Sequence, residues 1–345
     1  MGLETLFIRT DASLAIGTGH VMRCLALAQA WQDNVGDVVF VMAQAFPALI
    51  ERLRAEGFTV VCLNLTPGGA EDAAQFVGVA REHNARWTVV DGHHFQSAYQ
   101  LAIKDAHLQL LCLDDMGEAD HYLADLLLNQ NLHAHASMYS KREPYTRLLL
   151  GTRYAMLRRE FNPWREWERA IAPLARKLLV SMGGIDAPNV TAAVLESLPA
   201  LKTDGLEIRV IVGPGNPHRR ELEPFAAESS PSVRFLNSVT SMPDLIAWAD
   251  VAISAGGSTC WELCFMGLPA ILLDLAENQR VIAEELNRQQ AAVYLGRGKD
   301  GFRNAGASTL ERILRSQEER AALSKKARTL VDGLGAGRVI QALRH

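Results

Sequence analysis

Short apolar runs that do not alternate with polar residues, interleaved with helix-like stretches, are the feature that most restricts the fold. They lie at 5–10, 38–42, 58–63, 87–91, 108–113 and 124–128, and the stretches between them include 20–33, 47–56, 71–83 and 96–106. A run lacking strict alternation is apolar on both faces, so it belongs in a parallel sheet covered by helices on each side. Pro47 suits a first helical turn and Gly57 a position just past a last one. The rhythm restarts at Lys177–Met182 and continues through 206–212, 233–236, 250–254, 269–273 and 292–295. The expectation is two doubly wound, Rossmann-like α/β domains.

A chain of 345 residues accommodates two such domains, and 48% apolar against 21% charged residues supplies two cores. The first domain is expected over 1–155 and the second over 174–330. The stretch Gly151–Pro173, crowded with Arg, Trp and Glu, forms a linker with a short surface helix. Within 331–345, a helix over about 335–344 is expected to pack back on the first domain, by analogy with folds of this kind.

Charge and composition exclude several classes of partner. A net charge of -4 and a pI near 6.2 give no basic footprint for nucleic acid. No apolar run approaches the ~20 residues that cross a bilayer, and no basic leader precedes Leu6-Phe7-Ile8, so a cytoplasmic location is expected. Five cysteines, an odd number lying mostly in apolar segments, read as reduced core residues. Cys260 and Cys264 share a helix face, but no partner pair follows at zinc-finger spacing.

Two strand-to-helix junctions carry the chemistry. In the first, the run 5–10 leads through Asp11, Gly17 and Gly19 to His20 and Arg23 in the first turn of a helix. A helix N-terminus disfavours an imidazolium and so favours the neutral form a general base needs. The same position also suits a His that only caps the helix. Arg23 is a candidate for phosphate or for a pair with Asp11. In the second junction, the run 250–254 ends in Ala255-Gly256-Gly257, with Ser258 and Thr259 in the cap region and Glu262 a turn later. Glycines admit a diphosphate to the backbone, the helix end offsets its charge, and Glu262 can accept ribose hydroxyls. A plain capping box of Ser258 or Thr259 with Glu262 fits the same spacing.

Further polar residues, Asp274, Glu277, Asn278 and Gln279, follow the next strand within reach of a sugar. The glycine loops Met182-Gly183-Gly184-Ile185-Asp186 and Gly213-Pro214-Gly215 are expected on the same edge. No Asp-x-Asp is placed for a nucleotide-bound cation, and His93-His94 and His133/His135 have no acidic partner at helical spacing, so neither metal nor other cofactor is expected.

These motifs resemble one family. They are Gly17-x-Gly-His20-x-x-Arg23, Val90-Asp91, Leu113-Asp114-Asp115, Asp125 to Asn131, Leu150-Gly151 to Phe161, Met182-Gly183-Gly184-x-Asp186 and Gly256-Gly257-Ser258-Thr259-x-x-Glu262 through Gly267-x-Pro269 to Asn278-Gln279. The order and spacing are similar to the UDP-2,4-diacetamido-2,4,6-trideoxy-β-L-altropyranose hydrolases of pseudaminic acid biosynthesis, relatives of a GT-B glycosyltransferase of peptidoglycan synthesis. The resemblance implies a GT-B-like fold with a central cleft and a metal-independent hydrolase that splits a UDP-sugar at the anomeric C–O bond with inversion, using water. It implies His20 as general base, Asn278 at the sugar end, Gly257, Ser258 and Thr259 on the diphosphate and Glu262 at the ribose. The residues themselves add Gly19, Arg23, Asp11 and Gln279 as candidates toward the substrate and Gly183 and Gly256 toward the nucleotide. One departure stands out: where these hydrolases carry Asp-His-Tyr or similar, this chain reads Asp91-Gly92-His93-His94-Phe95. A glycosyltransferase on the same fold and a noncatalytic sugar-nucleotide binder are the competing readings; the latter has no use for His20.

Overall fold

The structure, a computed structural model, describes residues 4–201, 203–225, 232–237 and 239–345. The chain divides into two compact units, Met1–Arg159 with Leu334–His345, and Glu160–Gly333.

The first unit is built on a seven-stranded sheet of order β3-β2-β1-β4-β5-β6-β7, with every pairing parallel. Its strands are β1 (Leu6–Thr10), β2 (Val38–Met42), β3 (Thr59–Cys62), β4 (Trp87–Asp91), β5 (Gln109–Leu113), β6 (Leu126–Asn129) and β7 (Arg147–Leu150). Helices α1 (Gly19–Asn34), α2 (Pro47–Ala55), α3 (Ala70–Glu82) and α4 (Ser97–Asp105) connect the first five. The two-sided burial expected of unalternating runs is visible within β1. Leu6 and Ile8 join an apolar cluster that includes Val21, Leu25, Phe40 and Val339, while Phe7 joins another with Val41, Phe76 and Tyr99. β7 was not expected, because its apolar run is only Leu148-Leu149-Leu150 and it closes the sheet at an edge.

The last helix, Gly335–Arg344, packs on α1 within this unit, burying Val339, Ile340 and Leu343. The backbone carbonyl of Ala155 lies against Gly335 where any side chain would collide with it.

The second unit holds a six-stranded parallel sheet, β10-β9-β8-β11-β12-β13. Its strands are β8 (Lys177–Ser181), β9 (Glu207–Ile211), β10 (Ser232–Leu236), β11 (Val251–Ala255), β12 (Ala270–Asp274) and β13 (Val293–Arg297). Leu178, Val180, Ile253, Ile271 and Leu273 form its core with Phe302 and Leu310 of the helix Gly298–Arg315. In both sheets the chain builds outward in one direction and then restarts on the other side of its first strand. This places a topological switch point between β1 and β4 and another between β8 and β11, where loops at the carboxyl ends of the strands part and leave room for a ligand.

Candidate active site

The first-unit cluster is assembled at the carboxyl ends of four spatially consecutive strands. β1 ends in a loop whose Gly17, at φ +84, closes on the carbonyl of Ser13 with a 2.8 Å hydrogen bond. The turn sends the chain into α1, and His20 is the second residue of that helix. Thr18 makes no side-chain cap. The imidazole reaches across the switch point, where its Nδ1 lies 2.5 Å from Oδ1 of Asp91, the last residue of β4. One turn along α1, Arg23 grips the same carboxylate with both arms of its guanidinium, Nε to Oδ2 and Nη2 to Oδ1, each at 2.6 Å. Its Nη1 donates to Oδ1 of Asp115, just past β5, at 2.7 Å. Asn131, past β6, donates Nδ2 to that oxygen at 2.7 Å.

Burial alone would push the Asp91 carboxyl up; Arg23 and then His20 outweigh it and hold it well below the usual carboxylate range. Asp115, also buried, is kept ionised chiefly by Arg23. Burial would favour a neutral Arg23, but Asp115 and Asp91 reverse that and keep it charged. Burial and the neighbouring Asp91 push the Cys24 thiol up, so it stays protonated and donates to Asp91 at 3.3 Å. Nη2 of Arg23 also lies 3.2 Å from Nδ1, but the shorter contact to an ionised acceptor assigns the imidazole proton to Nδ1. The opposite nitrogen, Nε2, makes no hydrogen bond to any described residue. This is a pinned imidazole with its basic face unused.

Two sequence expectations change here. Arg23 pairs with Asp91 and Asp115, not with Asp11, and is buried in that pairing. Asp11 is 1% exposed. Its Oδ1 accepts the backbone N–H groups of Ala43 and Gln44, and its Oδ2 faces Arg9 Nη1 at 2.8 Å and His94 Nε2 at 3.2 Å. This carboxylate is spent on a neighbouring loop, an arginine and a histidine. Gly19 is exposed at the start of α1.

The partner of His20 escaped the sequence reading because Asp91 closes an otherwise apolar strand 71 residues away. A single carboxylate at the carboxyl end of a buried strand is the signal that points to it. The adjacent aspartates Asp114 and Asp115 divide their work. Asp114 accepts from the Tyr122 and Tyr139 hydroxyls and from two backbone amides. Asp115 alone turns to Arg23. His93, in the triplet that departs from the resembled family, stands edge-on to His20, their ring centroids 5.5 Å apart.

In the second unit, the Gly183 loop follows β8 and the Gly256-Gly257-Ser258 loop follows β11, so the two flank that sheet's switch point. Gly183 is exposed at φ +76, and the loop behind it packs on Gly213, where a side chain would strike the carbonyl of Gly184. The two glycines after β11 serve different ends. A Cβ on Gly256 would lie 2.6 Å from the carbonyl of Gln279, so its smallness admits the helix Glu277–Arg288. A Cβ on Gly257 would meet nothing closer than Gln279 Nε2 at 3.9 Å.

Ser258 makes no side-chain cap to the helix Thr259–Phe265, so a capping box led by Ser258 is not formed. Ser258, Thr259 and Glu262 are each partly exposed on its first turn. Past β12, Gln279 gives its Oε1 to the backbone N–H of Leu275 at 2.9 Å and braces the loop, whereas Asn278 is partly exposed beside it. Asp274 is fully buried and accepts the Tyr294 hydroxyl at 2.6 Å.

The other candidates for metal have different partners. His94 meets Asp11, His133 meets the carbonyl of Asp115 and His135 meets Ser137. Burial pushes the Cys264 thiol up to about 12 and raises Cys260 well above the usual thiol range, which disfavours the thiolates a metal needs. Among the described residues, no group of three or more His, Cys, Asp or Glu is placed to hold a metal ion, and no helix is long and apolar enough to cross a membrane.

Comparison with known proteins agrees with this layout. Residues 178–329 match the glycosyltransferase family 28 C-terminal domain. An uncharacterized protein of Methanocaldococcus jannaschii is 24% identical over 86% of this chain, which spans 60% of that relative's length. The UDP-2,4-diacetamido-2,4,6-trideoxy-beta-L-altropyranose hydrolase of Campylobacter jejuni is 26% identical over 65% of this chain and 74% of its own. The crystal structure of Acinetobacter baumannii MurG superposes with a TM-score of 0.72 over 99% of both chains at 15% identity. The resemblance drawn from the motifs is borne out, and the fold is GT-B-like, with two parallel-sheet α/β domains.

Proposed function

We propose that the protein hydrolyses a UDP-linked 2,4-diacetamido-2,4,6-trideoxy-type sugar at its anomeric C–O bond, releasing UDP and the free sugar for nonulosonic acid or related surface-glycan synthesis. The observation that carries this reading is the His20–Asp91 pair. Asp91 fixes the proton on Nδ1, which leaves Nε2 as the acceptor, the arrangement a general base requires. Nε2 takes a proton from water, the water oxygen attacks the anomeric carbon, and the bond to the UDP oxygen breaks with inversion. The imidazolium that forms is stabilised by Asp91 and then returns its proton to solvent.

The first unit supplies the base and the second the grip on the nucleotide. The Gly257 and Ser258 backbone and the start of the helix Thr259–Phe265 receive the diphosphate, Glu262 the ribose, and Asn278 the sugar end. UDP departs as an anion, so donors aimed at its oxygens do the work of a strong general acid. The named Campylobacter hydrolase supports the choice of sugar. The match to the glycosyltransferase family 28 C-terminal domain favours a second reading, transfer to a hydroxyl acceptor with the same base. Five free cysteines accord with a reducing compartment, and we place the enzyme in the cytoplasm.

The test is incubation of purified protein with candidate UDP-sugars, without acceptor, while phosphorus NMR follows free UDP. Hydrolysis predicts UDP release that vanishes in His20→Ala. Release only after an acceptor is added would replace hydrolysis by transfer, and binding without release would end both.

A further inference from the structure

The cluster around His20 carries an uncompensated charge. The buried groups are Asp91 and Asp115, both ionised, and Arg23, which bonds to each. Two carboxylates against one guanidinium leave one negative charge in excess. All three side chains are at most 8% exposed, so solvent screens that charge poorly.

We propose that Asp115, which does not touch His20, is a positioning residue for the reaction: through Arg23 it leaves the buried cluster one negative charge that a proton on His20 balances. This rests on His20 being the base. Asp91 accepts the imidazole proton directly, but it shares its charge with Arg23, which holds both its oxygens. Asp115 draws one arm of the guanidinium to itself and supplies the missing charge, and it is held in place at several points. Asn131 donates to its carboxylate, and its backbone carbonyl receives Asn129 Nδ2 at 3.1 Å and His133 Nε2 at 2.9 Å. The consequence is a base that binds the abstracted proton more firmly as the C–O bond breaks.

The other ionisable groups around His20 are few. On its own helix there are Arg23 and Cys24, whose thiol stays protonated. From β4 and its loop come Asp91 and His93, and from the loop after β5 comes Asp115. His93 is half exposed and stands 3.8 Å from Glu118, itself exposed. His133 is the further imidazole of the cluster, its Nε2 2.9 Å from the Asp115 carbonyl.

The experiment uses the full chain and long-range proton–nitrogen NMR of the imidazoles, with the His20 signal assigned by its loss in His20→Ala. Asp115→Asn keeps an oxygen for Arg23 and removes the charge. The expected result is a His20 titration midpoint lower by roughly one pH unit, with circular dichroism unchanged. The acid limb of kcat/KM should move the same way and the plateau should fall, whereas a merely structural role would lower the plateau and leave the limb in place. His93→Gln should leave the His20 midpoint unmoved. Asp115→Glu should restore it.

If Asp115→Asn does not fold, Asp115→Ser is the second variant; it also removes the charge and should lower the midpoint. A midpoint unmoved in whichever of the two variants folds overturns the proposal. A midpoint that moves as expected in a protein that releases no UDP supports the proposal and overturns the hydrolase reading instead.

Discussion

Nδ1 of His20 and Oδ1 of Asp91 meet at 2.5 Å across the switch point of the first sheet, joining the first turn of α1 to the last residue of β4. The contact fixes which ring nitrogen carries the proton. Asp91→Asn replaces an obligate acceptor by an amide that can present its N–H instead, turning the ring over to the wrong tautomer. UDP release should fall by about 10²-fold or more in kcat with little change in KM, read from steady-state kinetics. An equal loss in KM alone would show that Asp91 serves binding and not proton placement.

The two glycines after β11 differ in the space around them. Gly256→Ala puts a methyl group 2.6 Å from the Gln279 carbonyl and should cost about 1–3 kcal/mol, seen as a lowered Tm. Gly257→Ala meets no such obstacle and should keep the Tm while weakening UDP binding in calorimetry. Equal behaviour of the two variants would remove Gly257 from the nucleotide site.

Glu262→Ala should weaken UDP about tenfold, the worth of one or two hydrogen bonds to ribose hydroxyls, with the fold intact. Thymidine diphosphate, which lacks the ribose 2′-hydroxyl, should lose less on the same substitution. Unchanged UDP affinity would displace the ribose from this helix.

Acid stability should report on Asp11. Burial would raise its carboxyl, but His94 and Arg9 outweigh burial and bring it down to about 2 from an ordinary 3.8. A folded-state value below the unfolded one stabilises the native protein above the unfolded value, and that stability is lost as the pH falls from about 4 toward 2. Asp11→Asn should therefore be less stable than the parent at neutral pH and should show a smaller further loss between pH 4 and 2, measured by urea unfolding. An identical pH slope in the two proteins would contradict the depressed carboxyl.

Much of the fold was legible in the residues because burial is written locally. An apolar run of five without alternation specifies a strand covered on both faces, and β2 and β4 lie at the residues where the runs 38–42 and 87–91 place them. The glycine turns were legible for a similar reason, since a left-handed residue such as Gly17 or Gly183 is chosen by its own backbone. β7 was not, because three leucines at a sheet edge carry too little pattern.

The sequence by itself thus determined two wound sheets, the turns that open α1 and the helix Thr259–Phe265, and a histidine at the start of the first. Only the tertiary structure decided what that histidine faces. Asp91 and Asp115 stand 71 and 95 positions beyond His20, and the order β1-β4-β5 brings them to its ring and to Arg23. Periodicity tells each strand that it will be buried, but the choice of neighbour is made by how whole strands pack, and the partners of His20, Arg23 and Asp11 follow from that choice.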